Sequence, residues 1–209
     1  MAPGNFVKKH LTKQSLFMIL ITLTAVAFGL GIGKDSVGAE EAARESVNAL
    51  NPIFQALPAV RFVEVQNWER IRTPELPLSR VKGVFQGESE QGQWLGTVIH
   101  LMTPGYDGPI DLMVALNPEG VILKVNVFRH TETPCHVTGM TKGNWLDQFQ
   151  GITLVDKLRM LIGLKPSAQG DVQAMTSGTV TSRAVTEAVA EARQAFYKLY
   201  IEEQTNIKK

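Results

Sequence analysis

A stretch without charge near the N-terminus constrains this chain more than any other feature. No charged residue lies between Lys13 and Lys34, and the run from Ser15 to Gly33 is almost wholly apolar. A helix rises about 1.5 Å per residue, so a run of this length covers a hydrocarbon core of about 30 Å. The sequence therefore predicts a transmembrane helix over residues 15–33.

The residues that flank this run predict its orientation. Lysine and histidine precede it, at Lys8, Lys9, His10 and Lys13. Because basic residues favour the cytoplasmic side, we expect residues 1–14 in the cytoplasm and everything after the helix outside, in a single-pass protein of the cytoplasmic membrane. The alternative is a cleaved signal peptide, since Val37-Gly38-Ala39 has the small residues of a cleavage site. Apolar regions of signal peptides usually have only about 7 to 15 residues, which favours the retained anchor.

The composition of the chain excludes several functional classes. Lys and Arg total 21 against 20 for Asp and Glu, so there is no basic surface that would indicate a nucleic-acid partner. Cys135 is the single cysteine. It allows neither an intramolecular disulfide nor a cysteine-ligated iron–sulfur cluster contained within this chain.

Hydrophobic periodicity beyond the anchor predicts an α+β domain. We expect a stalk helix within residues 34–58 and an extracytoplasmic domain over residues 59–209, with an antiparallel sheet and flanking helices. The run Asn117-Pro118-Glu119-Gly120 predicts a hairpin turn between two of the strands. The predicted strands are Val60 to Val65, Val81 to Gln86, Gln93 to Met102, Ile110 to Leu116 and Val121 to Phe128.

A polar connection from His130 to Asn144 is expected after the sheet, followed by a helical turn over Trp145 to Phe149. The last helix is expected from near Thr181 to about Glu203. Its apolar face, which should pack on the sheet, comprises Val185, Ala188, Val189, Ala192, Phe196 and Leu199. The opposite, mostly polar face comprises Arg183, Glu187, Glu191, Arg193 and Lys198.

The segment that introduces this helix is rich in hydroxyl side chains and reads Thr176-Ser177-Gly178-Thr179-Val180-Thr181-Ser182. One interpretation is helix capping, because Ser and Thr are preferred N-cap residues. The other is an anion site, because a helix N-terminus offers unpaired backbone N–H groups and the positive end of the helix dipole. Capping requires only one of these hydroxyls.

Three segments taken in order resemble a known family. They are Gly105-Tyr106-Asp107-Gly108-Pro109-Ile110, His130-Thr131-Glu132-Thr133-Pro134, and the 176–182 run followed by Arg183-Ala184-Val185. The set is similar to the membrane-anchored FMN-binding subunits of ion-translocating redox complexes. These are the G subunit of the Rnf complex, which is more similar, and the C subunit of the sodium-pumping NADH:quinone oxidoreductase.

The resemblance implies a covalent flavin. In that family FMN is joined through its phosphate to a threonine hydroxyl as a phosphoester, by a separate flavin transferase that uses FAD, and the matching position here is Thr179. The phosphate would lie among the hydroxyls of Thr176, Ser177 and Thr181 and the N–H groups from Gly178 to Thr181, which include that of Val180. The resemblance also implies that the flavin ring lies in a cleft lined by Tyr106, Glu132 and Thr133.

The chain departs from the family pattern at two places. Gln173 stands where the pattern has aspartate and Ser177-Gly178 stands where it has Gly-Ala, while Cys135-His136-Val137 replaces Gly-Leu-Gly. His130, Cys135 and His136 could be interpreted as part of a metal site. A buried structural cysteine is the alternative, and we expect no metal.

The resemblance predicts an electron-relay subunit with no catalytic site of its own. Its expected partners are other membrane and redox subunits, the flavin transferase and membrane lipid. Two alternatives remain open. One is a non-redox assembly subunit that kept the fold and lost the flavin, and the other is a domain that binds FMN without a covalent bond.

Overall fold

The computed structural model describes residues 57, 59 and 61–202 of the chain. The predicted anchor over residues 15–33 and the cytoplasmic residues 1–14 lie outside this part, as does all of the predicted stalk except Leu57. Among the described helices, none combines the length and the apolar character that a membrane crossing needs.

The core of the described domain is a five-stranded antiparallel sheet with its strands in chain order. The strands are β1 (Arg61–Glu64), β2 (Val81–Glu88), β3 (Trp94–Pro104), β4 (Pro109–Leu116) and β5 (Ile122–His130). All five predicted strands are confirmed, with ends that agree within two residues. Apolar runs bounded by turn signals carried this prediction.

The turn between β4 and β5 forms as expected. The Asn117 side-chain oxygen accepts hydrogen bonds from the backbone N–H groups of Glu119, at 3.1 Å, and Val121, at 2.8 Å. Gly120 has φ of +80°, a value that glycine adopts at little cost. The turn fixes the pairing of Leu116 with Ile122.

The connection after the sheet is not the plain polar loop that we expected, because it contains helix α1 (Pro134–Thr141). Pro134 occupies the first turn, where its missing N–H group costs nothing. The Thr138 hydroxyl donates back to the Pro134 carbonyl oxygen. Gly139 and the threonines have low helix propensity, which concealed the helix in the sequence. The 3-10 helix Trp145–Phe149 matches the predicted helical turn.

A short parallel pair of strands was not predicted. Strand β6 (Arg159–Leu161) pairs with β7 (Asp171–Gln173). Each strand has only three residues, too few for a periodic pattern to be recognised. The pair leads directly into the hydroxyl-rich segment.

The last helix, α2 (Thr179–Phe196), continues as a π-helix over Tyr197–Glu202. It begins two residues before the predicted start. All six residues of the predicted apolar face are buried, and they share one core cluster with the sheet. A further 3-10 helix, Trp68–Ile71, adds Trp68 and Ile71 to that cluster.

Two residues assigned to the polar face of α2 are in fact buried. Glu191 is 7% exposed and accepts a hydrogen bond from the Arg80 backbone N–H at 2.7 Å. Arg193 is 8% exposed and donates to the Asp156 carbonyl oxygen at 2.7 Å. These charged side chains can be buried because polar groups of other segments form hydrogen bonds with them.

Candidate functional site

One buried carboxylate joins the three segments on which the family resemblance rests. Glu132, two residues after the end of β5, is only 5% exposed. Its Oε1 atom accepts hydrogen bonds from the backbone N–H groups of Asp107, at 2.8 Å, and Gly108, at 3.3 Å. Its Oε2 atom accepts the hydroxyl hydrogen of Thr181, in the first turn of α2. The turn between β3 and β4, the end of β5 and the start of α2 therefore meet at this side chain.

The glycines of the β3–β4 turn allow this close approach. A Cβ atom at Gly105 would lie 2.3 Å from Glu132 Oε1. A Cβ atom at Gly108 would lie 2.0 Å from Thr131 Oγ1. Both separations are far shorter than non-bonded contacts, so a larger side chain at either position would force Glu132 or Thr131 to move.

A second set of polar contacts lies on the outer side of Glu132. Asp107 Oδ2 accepts a hydrogen bond from the Thr133 backbone N–H at 2.9 Å, and this bond is the main cause that lowers the pKa of Asp107. His136 Nδ1 lies 2.9 Å from Thr133 Oγ1 and 3.3 Å from Asp107 Oδ2. The Tyr106 ring, 62% exposed, meets the His136 ring edge-on at 4.7 Å.

Side chains of metal-ligating type converge here, but they are not the set suggested by the sequence. Asp107, Glu132 and His136 bring ligand atoms within 4.8 Å of one another, and within the described residues no other such group occurs. Each of the three is already engaged in hydrogen bonds within the protein. Cys135 is exposed, so the expectation of a buried cysteine is wrong; the residue lies in the first turn of α1, at the surface.

No side chain caps the N-terminus of α2, so the capping interpretation of the hydroxyl-rich segment is wrong. Gly178 is the N-cap residue and Thr179 is the first helical residue. The first N–H groups of a helix have no acceptor within the helix, so those of the first turn remain available to an anion. The Ser182 hydroxyl instead accepts a hydrogen bond from the Met175 backbone N–H at 2.9 Å, which closes the turn before the helix.

The residues of this segment differ in accessibility. Thr176, Ser177 and Val180 are exposed, and Thr179 is half-buried. Thr181 is fully buried, and its hydroxyl faces Glu132 rather than the surface around Thr179. The Thr181 hydroxyl therefore does not point toward the place where we expected it to bind the phosphate.

The two departures from the family pattern lie in contact with each other. Ser177 adopts φ of +62°, in the left-handed region that glycine prefers. At the next residue, a Cβ atom on Gly178 would lie 2.8 Å from the carbonyl oxygen of His136, in α1. Helix α1 thus packs against the N-cap of α2 at a position where only glycine fits.

An open groove of about 380 Å³ runs beside α2. One wall comes from β6 and its flanks, and the other from α2. The lining residues are Leu158, Met160, Ile162, Arg183, Thr186, Glu187 and Ala190. Tyr106, Glu132 and Thr133 are not among them. Alternation of Leu158, Met160 and Ile162 was the sequence signal for this wall, but the strand is too short for it to be decisive.

Comparisons with known proteins show which family the chain belongs to. Residues 105–194, which include all three segments, match the family model of the FMN-binding domain. The crystal structure of Shewanella oneidensis NqrC has a similar fold, with a TM-score of 0.51 and 19% identity. The match covers 88% of this chain and 95% of that one.

Two relatives match over most of their length. The G subunit of the Na(+)-translocating ferredoxin:NAD(+) oxidoreductase complex of Acetobacterium woodii is 30% identical over 75% of this chain and 73% of the relative. The G subunit of the proton-translocating ferredoxin:NAD(+) oxidoreductase complex of Clostridium ljungdahlii is 35% identical over 88% of this chain and 93% of the relative. The chain therefore belongs to the family of G subunits of Rnf-type ion-translocating oxidoreductase complexes.

Proposed function

We propose that this chain is an electron-relay subunit of a membrane-bound Rnf-type complex and that it carries FMN linked through the phosphate to Thr179. One observation carries the proposal most directly. Thr179 is the first residue of a helix whose N-terminus no side chain caps, within a stretch that matches the FMN-binding domain.

The local chemistry suits a phosphate. A phosphodiester keeps one negative charge, which is favoured at the positive end of the helix dipole. The backbone N–H groups of Thr179, Val180 and Thr181 are available to it because helix geometry gives them no internal acceptor. The exposed hydroxyls of Thr176 and Ser177 lie just before the helix and can donate further hydrogen bonds.

The attachment reaction that we propose is a phosphoryl transfer from FAD, catalysed by a separate flavin transferase. The Thr179 oxygen forms a bond to the phosphorus of the FMN half. The bond from that phosphorus to the AMP half breaks, AMP leaves, and the hydroxyl proton is released to a base. Thr179 is half-buried at a helix start, and the proposal requires its hydroxyl to reach the transferase.

In this proposal, Glu132 and Thr181 support the site from the protein interior. Their hydrogen bond fixes the first turn of α2 relative to the β3–β4 turn, and so fixes the direction in which Thr179 points. Glu132 then acts as a positioning residue. Its two oxygens are occupied by protein donors and are not free for the flavin.

The bound flavin would supply the redox chemistry, while the chain positions it and sets its surroundings. A covalent link suits an exported carrier because it replaces dissociation by a fixed local concentration. The relatives are named as subunits of ion-translocating complexes, and we propose the same assembly here, with other membrane and redox subunits as partners. The chain needs no independent catalytic site.

The test is covalent flavin on the full chain. The protein is expressed together with its flavin transferase, denatured, separated on a gel and viewed under ultraviolet light. We expect fluorescence in the wild type and in Thr73→Ala, and none in Thr179→Ala. Thr73→Ala is the matched control because it removes an exposed threonine hydroxyl that lies outside the segment around Thr179.

Other results would support other functions. Yellow native protein that loses its colour on denaturation would indicate FMN bound without a covalent bond. Colourless protein isolated from native membranes would indicate an assembly subunit without flavin. The departures at Gln173, Ser177 and Gly178 make both outcomes informative about what the transferase recognises.

We further propose that residues 15–33 anchor the chain in the cytoplasmic membrane, with the domain outside. The absence of charge across this run supports the proposal. Alkaline carbonate extraction of membranes should leave the full chain in the pellet and release a chain that starts at Asp35. Release of the full chain would contradict the anchor.

A further inference from the structure

We propose that the connection between β6 and β7 is a membrane-docking loop, which inserts apolar side chains into the surface of a bilayer that contains anionic phospholipid. Its tip reads Ile162-Gly163-Leu164-Lys165-Pro166. The inference rests on the proposed anchor at residues 15–33, because that anchor keeps a bilayer within reach of the domain. The loop adds a second contact with lipid, made by the folded domain itself.

Exposed apolar side chains are concentrated in this part of the fold. Eight large apolar residues are exposed in the described part of the chain, and three of them lie within residues 155–164. These three are Val155, Ile162 and Leu164, with exposed fractions of 93%, 57% and 63%. A Cβ atom at Gly163, between the last two, would meet no atom within 4 Å. Apolar side chains gathered on a projecting segment indicate a surface that binds something else.

The base of the loop is held by hydrogen bonds. Asp171, which is 5% exposed, accepts from the backbone N–H groups of Ser167, at 3.0 Å, and Ala168, at 3.1 Å. The same carboxylate pairs with the Arg159 guanidinium at 2.6 Å. The Arg159 backbone N–H donates to the Gly170 carbonyl oxygen at 2.9 Å, so the two ends of the loop lie together. A closed base of this kind presents the tip in a fixed direction.

The charge of the loop favours an anionic surface. Residues 155–169 contain three basic residues, Lys157, Arg159 and Lys165, against one acidic residue, Asp156. Arg159 is already paired at the base of the loop. The two lysines are exposed, and no ion pair among the described residues engages either of them. Lysines beside exposed apolar side chains are typical of segments that bind the interface of anionic bilayers.

A bilayer suits this tip better than a protein partner does. The tip has no aromatic residue and no arginine, the side chains that dominate the binding energy of protein interfaces. Lysine is depleted in such interfaces. In a bilayer, by contrast, the Lys165 ammonium can lie among the headgroups while its methylene stem lies among acyl chains. Lipid also accepts Ile162 and Leu164 without a matching pocket.

The chain between the anchor and the domain is long enough for this contact. Residues 34–56 join the proposed anchor to Leu57. Fully extended, a segment of this length would span about 80 Å. A domain of this size has a radius of gyration of only about 15 Å. The length of the connection therefore does not decide which side of the domain faces the bilayer, and a docking loop would decide it.

The experiment uses the full chain in vesicles, with an environment-sensitive probe at the tip. Cys135→Ser removes the single cysteine, and Leu164→Cys is then labelled with the fluorophore NBD. The vesicles contain phosphatidylcholine alone or equal parts of phosphatidylcholine and phosphatidylglycerol. In the mixed vesicles we expect blue-shifted emission and quenching by doxyl-labelled lipid, and without phosphatidylglycerol several-fold weaker quenching. The same label at Gln91→Cys, in the exposed turn between β2 and β3, should show neither.

Substitutions separate the apolar contribution from the charge. Ile162→Asp should abolish the blue shift of the tip probe, whereas Val63→Asp, which changes an exposed valine of β1, should not. Lys157→Gln and Lys165→Gln should each lower the ratio of docked to free tip about fivefold. High salt should act in the same direction. All four side chains are exposed, so each variant should keep the melting temperature of the wild type.

Two results would overturn the proposal. One is a tip probe that stays unquenched in the mixed vesicles. The other is a blue shift that occurs only in native membranes holding the partner subunits, because protein would then be the occupant. Alkaline carbonate extraction tests the anchor separately. A chain that resists extraction but carries an unquenched tip probe would contradict the docking loop alone.

Discussion

Glu132 accepts the hydroxyl hydrogen of Thr181, and this hydrogen bond ties the end of the sheet to the first turn of α2. The same carboxylate accepts two backbone N–H groups from the β3–β4 turn. Segments that lie about 25 and 50 residues from Glu132 along the chain thus depend on one buried side chain for their relative position. The site is therefore sensitive to a residue that need not touch the flavin.

We expect Glu132→Gln to destabilise the domain by about 1.5 to 3 kcal/mol, because charge-assisted hydrogen bonds contribute about that much and a glutamine offers one oxygen instead of two. Urea unfolding of the full chain measures the change. Glu202→Gln, which removes a half-buried pair with Lys198 one helical turn away, is the control and should cost less than about 0.5 kcal/mol. Equal effects of the two substitutions would contradict the role of Glu132.

Gly178→Ala should destabilise the domain by about 1 to 3 kcal/mol, because the added Cβ would lie 2.8 Å from the His136 carbonyl oxygen and α1 must shift. Ser177→Gly should instead stabilise the domain. It removes a side chain from a left-handed backbone conformation, and we expect the free energy of unfolding to rise by up to about 1 kcal/mol. Thermal unfolding compares the two. An unchanged melting temperature in Gly178→Ala would show that α1 does not pack closely against the N-cap of α2.

Arg80→Gln should destabilise the domain, because Arg80 joins the start of β2 to α2. The Arg80 guanidinium contacts Glu191 at 2.9 Å and Glu187 at 2.6 Å, and Glu191 is almost fully buried. Because the substitution leaves a buried carboxylate without its cation, we expect a loss of about 2 to 4 kcal/mol. The double variant Arg80→Gln/Glu191→Gln should recover part of this loss in a denaturant titration. No recovery would mean that packing rather than charge is responsible.

Acid should weaken the β6–β7 pair through Asp171. Backbone N–H groups of Ser167 and Ala168 and the Arg159 guanidinium lower the pKa of this carboxyl, with the Ser167 bond as the main cause. A lowered pKa in the folded state gives a stabilisation that is complete above the unfolded value of about 4 and is lost as pH falls through the folded value. Melting temperatures of the wild type and Asp171→Asn should therefore differ at pH 7, and the difference should shrink as pH falls below about 4 and through the lowered folded pKa. A constant difference would contradict this assignment.

The sequence predicted the sheet well because its strands are rich in apolar residues and end at recognisable turns. The turn at Asn117 and the apolar face of α2 followed from local rules alone. Helix α1 and the β6–β7 pair escaped prediction because neither is long enough to show a period. The sequence assigned Glu191 and Arg193 to the exposed face of α2. Their burial could not be predicted because their partners, Arg80 and Asp156, lie far away along the chain.

The sequence identified the three segments that meet at Glu132, but it did not predict how they meet. The three segments were identified from sequence, and Glu132 brings them together. The inward direction of Thr181 and the groove beside α2 depend on contacts between distant segments, which no local pattern contains. The exposure of Cys135 likewise depends on α1, which the sequence did not reveal.

The most direct test of this account is peptide mass spectrometry on the full chain isolated from native membranes. We predict that the peptide containing Thr179 carries the mass of FMN joined through one phosphoester bond and that fragmentation places it on Thr179. An unmodified Thr179, or FMN located on another residue such as Thr176 or Thr181, would contradict the central claim.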